Sequence, residues 1–153
     1  MKNEMFREES QGVLILCIAA CKKQRPWLTS ITSPVIGFTL IREIDQVLSP
    51  ALHNMLLDTV QSCVYEASLV KRELKLDCIS LVVRADSAVF LTSMNTCGFD
   101  IKYWALEKGI DLLLRPTKRE DNRARKVIND YRLGFISRFS SEGEGLLSFF
   151  VKF

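Results

Sequence analysis

The side chains able to do chemistry are few and scattered along the chain. His53 is the only histidine, and the five cysteines Cys17, Cys21, Cys63, Cys78 and Cys97 fall mostly inside apolar runs, where cysteine acts as a small buried hydrophobe. Cys17 and Cys21 have a CxxxC spacing, but a lone histidine and no second cysteine pair at ligand spacing argue against zinc, so no metal is expected. An odd number of scattered cysteines implies reduced thiols and a cytoplasmic compartment. Cys97, beside Gly98, reads as a buried helix-end thiol rather than a nucleophile. His53 lies one residue from an apolar stripe and reads as structural or surface-exposed, not as a general base. No phosphate-binding glycine loop, HExxH helix or Gly-x-Ser-x-Gly elbow is present.

Cations gather in two stretches. Lys22-Lys23-Gln24-Arg25 reads as a solvated loop tip, with phosphate holding as its alternative. Lys118, Arg119, Arg123, Arg125 and Lys126, with Arg115 beside them, are diluted by Glu120, Asp121 and Asp130 and lack interleaved aromatic residues, so they read as a solvated helix face. Nucleic acid is therefore not an expected partner. A net charge of +3 with 25% charged residues excludes both a disordered composition and a strongly basic binder.

The elements that must position these residues follow from the apolar pattern. At 153 residues and 48% hydrophobic, the chain suits one domain with a full core, residues 1–153. Residues 13–21 and 35–41 read as two strands. The first of these ends in Ile18-Ala19-Ala20-Cys21, a lipoprotein-like box. The acids Glu4, Glu8 and Glu9 before it remove the positive charge a signal needs, so a buried strand is expected and no membrane span. Ser49-Pro50 starts a helix of about 24 residues whose stripe is Leu52, Leu56, Val60, Cys63, Ala67, Val70 and Leu74. Ile79–Val83 reads as a central strand covered on both faces, and Ser87 as the cap of a helix over Ala88–Asn95 that Gly98 closes in the left-handed region. Residues 101–106 and 110–114 read as a hairpin turned by Gly109, and Thr117-Lys118-Arg119-Glu120 as a capping box for a helix to about Tyr131. Leu133–Phe139 and Leu146–Phe153 close the chain as strands. The fold class is α/β in the α+β sense, a mixed and mostly antiparallel sheet covered by helices.

Within that pattern, Val83 to Phe99 resembles the end of the core of the general N-acetyltransferase (GNAT) superfamily. The spacing from a strand ending in valine to a terminal Gly98-Phe99 matches, with Ser87 in the family's asparagine slot and Ser93-Met94 in its Leu-Tyr slots. Val35-Ile36-Gly37-Phe38 is similar to its Ile-Gly-Phe strand, and Leu56-Leu57 to the paired leucines of its cofactor helix. The similarity covers residues 31–114, leaving 115–153 as a C-terminal extension.

The resemblance implies an acyl-CoA-dependent N-acyltransferase with acetyl-CoA as cofactor, lying in a crevice between the strand ending near Ile44 and the strand starting at Ile79. A helix N-terminus suits its pyrophosphate, through unpaired N–H donors and the helix dipole. Ser49, Ala51 and Leu52 would then hold the cofactor together with Ser87. The sequence departs from the family in two places: the loop Asp45–Ala51 has no glycine or basic residue, and Met94 stands where a tyrosine would protonate the thiolate. Ser93, Cys97 and Tyr103 are the nearby proton donors, and Glu43 or Asp45 the candidate base, so no catalytic residue is assigned. These departures motivate the alternative, a non-catalytic interaction or assembly domain on the same fold. The apolar run Leu146–Phe153 makes a protein partner or homo-oligomer the expected form of that interaction.

Overall fold

The apolar run Val13–Cys21 forms β1, and the computed structural model, which describes residues 12–34, 38–44 and 51–134, builds a sheet outward from it on both sides. A tip at residues 22–26 turns the chain into β2 (Trp27–Thr32), antiparallel to β1, and β3 (Thr39–Ile44) pairs antiparallel to β2. Then α1 (Leu52–Glu73) crosses the sheet and delivers β4 (Ile79–Ala85) to the other side of β1, in parallel. Two short helices, α2 (Ala88–Cys97) and α3 (Phe99–Glu107), lead to β5 (Ile110–Pro116), parallel to β4. A 3-10 turn at Arg119–Asp121 precedes α4 (Arg123–Arg132). The strand order is β3-β2-β1-β4-β5, so the fold is the expected mixed sheet covered by helices, its pairings divided between antiparallel and parallel.

Alternation along β1 feeds two cores. Leu14, Leu16 and Ile18 point to the face carrying α1, α2 and α3, where they meet Val60, Leu81, Val83 and Phe90. Cys17, Ala19 and Cys21 point to the opposite face, where α4 supplies Ala124 and Ile128. Burying Val60, Val64, Ala67 and Val70 along one stripe is what holds α1 to the sheet.

Several local expectations are corrected. The strand β2 was hidden by its hydroxyls: Thr29, Ser30 and Thr32 are all buried, and the Ser30 hydroxyl donates to the Ala124 carbonyl at 2.6 Å. The next strand correspondingly begins at Thr39 rather than at residue 35. Residues 101–106 are helical, because Ile101 and Ala105, four apart, both bury against the sheet side. Gly109, at φ 77°, turns a helix into a parallel strand and does not turn a hairpin. Gly98 has φ −88° and joins α2 to α3 without entering the left-handed region. The capping box is replaced by a 3-10 turn, and Asn122 caps α4 instead. β4 is not covered on both faces: it alternates buried and half-buried residues. Ser49, the expected cap of α1, lies outside the described residues, and the residue preceding the helix is Ala51, with no side-chain cap bond. The segments 35–37 and 135–153, with the strands expected there, also lie outside the described residues.

Candidate functional site

Open sheets with parallel strands bind ligands beyond the carboxyl ends of those strands, where loops converge. In this chain that end is occupied by Asp86, the residue after β4. Its carboxylate accepts from Arg125 Nη2 at 2.9 Å and Arg125 Nε at 3.0 Å, one bond to each oxygen, and from Asn122 Nδ2 at 3.0 Å. Arg125 Nη1 goes on to donate to the Ala20 carbonyl at 2.7 Å. Asn122 Nδ2 also donates to the Ile18 carbonyl at 3.0 Å, while its Oδ1 accepts from Ala124 N–H and caps α4. The pair is buried, with side-chain exposures of 10% for Arg125 and 5% for Asp86. Burial alone would raise the Asp86 carboxyl; the Arg125 guanidinium and the Asn122 amide outweigh it and hold the group below its ordinary value. Both oxygens are engaged by donors, so the group is a poor base and a strong structural clamp.

This cluster was missed from the sequence, where Arg125 was assigned to a solvated face. The signal was present in its position: Arg125 follows Ala124, and Ile128 lies one helical turn on, so all three fall on the buried side of α4.

Around the clamp, the two basic stretches come together. Arg132 Nη2 donates to the Gln24 carbonyl at 3.1 Å and the Pro26 carbonyl at 2.9 Å, which ties the β1–β2 tip to the end of α4. At that tip Lys22 and Arg25 lie over the Trp27 ring, 5.1 Å and 4.6 Å from its centroid. Lys23, Arg25, Lys118, Arg119, Arg123 and Lys126 are exposed, as are the acids Glu120 and Asp121. Burial raises the Cys21 thiol, but the Lys23 N–H and Arg132 nearby outweigh it and leave the thiol below its ordinary value. Glu43, a candidate base, accepts from the Tyr131 hydroxyl at 2.5 Å on the far edge of the sheet. Asp45 lies outside the described residues.

A separate cleft of about 260 Å³ opens between α1 and the α2–α3 pair, lined by His53, Gln61, Ser93, Met94, Cys97 and Trp104 among others. The His53 and Phe90 rings stand 5.2 Å apart and bring the first turns of α1 and α2 together. Of the residues expected to hold a cofactor, Ala51 ends in extended backbone before α1, Leu52 is 40% exposed, and Ser87 spends its oxygen accepting from Phe90 N–H at 3.2 Å. Tyr103 faces away, into a hollow beside β5 with Phe99 and Leu106. The strands expected to flank a cofactor crevice, β3 and β4, have β2 and β1 paired between them. All five cysteines are free thiols, and Cys97 is exposed rather than buried. Among the described residues no three of His, Cys, Asp and Glu gather where a metal could sit, and no helix is long and apolar enough to cross a membrane. No family model and no curated protein matches this chain.

Proposed function

We propose that this domain is a non-catalytic binding module, and that its ligand is the phosphate backbone of a single-stranded nucleic acid lying across the carboxyl end of the sheet. The observation that carries the reading is convergence. Arg132 fastens the Lys22–Arg25 tip beside α4, so two basic stretches about a hundred positions apart in sequence share one end of the molecule. The carboxylate that would oppose an anion there, Asp86, is neutralised by its own arginine. Glu120 and Asp121 remain as exposed acids, and they set the ligand's path along the lysine and arginine side rather than over the 3-10 turn. Phosphate contacts of this kind position a strand without reading its bases.

The catalytic alternative asks for acetyl-CoA between splayed neighbouring strands. Its support is the cleft beside His53 and Cys97; against it stand the paired strands between β3 and β4 and the absence of a proton donor at Met94. Fluorescence anisotropy with a labelled single-stranded oligonucleotide separates the two readings. Binding is expected to weaken linearly in log–log form with salt, and Lys23→Glu with Arg25→Glu is expected to lower the affinity and flatten the slope by about 1. Binding that ignores salt, or no binding at low salt, refutes the proposal, and calorimetric heat with acetyl-CoA would support the enzyme instead.

A further inference from the structure

The face of the sheet that carries α4 is only half covered. The helix packs over β1, β2 and β3. Beyond it, the outward residues of β1, β4 and β5 form three rows in register: Val13, Ser80 and Asp111; Ile15, Val82 and Leu113; Cys17, Arg84 and Arg115. Val13, Ile15, Val82 and Leu113 are half-buried and belong to neither core. Their neighbours on the opposite side of the same strands, Leu14, Leu81 and Leu112, are buried. Parallel strands are normally covered on both faces, because their side chains are apolar on both. An apolar centre with Arg84 and Arg115 at one end and Asp111 at the other is thus a surface built to be covered.

We infer that the cover is this chain's own C-terminal stretch, residues 146–153, laid across the β1–β4–β5 face and running opposite to β4 and β5. Four observations select it. The chain leaves α4 at Gly134 on this same face, at the carboxyl end of the sheet where Arg132 meets the β1–β2 tip. About a dozen residues separate Gly134 from Leu146, a reach of up to roughly 40 Å when extended, whereas five strands are only about 19 Å across. In an extended chain Leu147, Phe149, Val151 and Phe153 all point one way, which supplies a continuous apolar side for Ile15, Val82 and Leu113. Charge sets the direction: Glu142 and Glu144 precede the apolar run and fall toward Arg84 and Arg115, while Lys152 arrives at the Asp111 end. The other terminal stretch, residues 1–11, is a poor candidate, because Lys2, Glu4, Arg7, Glu8 and Glu9 outnumber Met1, Met5 and Phe6.

The test uses the full chain with the photo-crosslinker p-benzoylphenylalanine in place of Phe149, irradiated at low micromolar concentration and mapped by mass spectrometry. Adducts at monomer mass to peptides carrying Val82 or Leu113 are expected. Adducts between two chains would assign the face to a second copy, and adducts elsewhere or none would leave it to another occupant; each of these overturns the inference. An independent measurement is hydroxyl-radical oxidation of Leu113, with exposed Leu106 as the internal reference. Phe149→Asp is expected to raise Leu113 oxidation several-fold over the unsubstituted chain, and an unchanged ratio refutes the cover.

Discussion

Asp86 and Arg125 form the most demanding contact at the residue level, because each is a charge removed from water that only its partner compensates. Asp86→Asn leaves the guanidinium facing a neutral amide in a buried site, and a stability loss of about 3 kcal/mol or more is expected in urea unfolding. The pH dependence has a definite sign. Since the folded carboxyl titrates below its ordinary value, the unfolded chain takes up the proton first as acid is added, so the clamp's contribution is complete above the unfolded value, about 4, and is lost as pH falls through the depressed one. The urea midpoint of the unsubstituted protein should therefore decline below about pH 4 more steeply than that of Asp86→Asn. Thiol reactivity gives a second residue-level expectation. Cys97 is the exposed cysteine and Cys63 is buried, its thiol pushed up by desolvation, so titration of the native protein with a thiol reagent should label Cys97 first and Cys63 only on unfolding.

The α3–β5 connection turns on Gly109 at the scale of elements. Its φ of 77° lies in the left-handed region, its carbonyl accepts from Ile79 N–H at 3.0 Å, and a Cβ there would approach the Asp77 carbonyl to 2.9 Å and crowd the Lys71 side chain. Gly109→Ala should cost about 1–2 kcal/mol from backbone conformation alone, with the loss seen as a lower thermal midpoint and unchanged secondary structure. The same connection shows where local sequence signals stop. A glycine between two short apolar runs fits a hairpin equally well, and what separates the outcomes is that Ile101 and Ala105 bury together only if the first run is helical. Conversely, Ser87 was legible as a cap, since a serine before an apolar run satisfies a free N–H without help from distant residues. β2 was illegible for the opposite reason, its buried hydroxyls depending on partners such as the Ala124 carbonyl, far away in sequence.

The molecule as a whole separates structural from binding charge: Arg125 is consumed inside, while Lys23, Arg25, Arg123 and Lys126 stay in solvent at the same end. A ligand held there stabilises the fold by mass action, about 2.7 kcal/mol at a hundredfold excess over Kd. Added oligonucleotide should accordingly raise the thermal midpoint at 50 mM salt, and by much less at 200 mM, as scanning calorimetry would record. The amino-acid sequence by itself determined the fold class, the strands β1 and β4, the long helix α1 and the cap at Ser87, because each rests on apolar periodicity or on hydrogen bonds between neighbours in the chain. Tertiary structure alone decided the strand order, the Asp86–Arg125–Asn122 clamp and the meeting of the two basic stretches. Those depend on which strands pair across the sheet, and pairing brings residues about a hundred positions apart into contact without leaving a mark on local spacing.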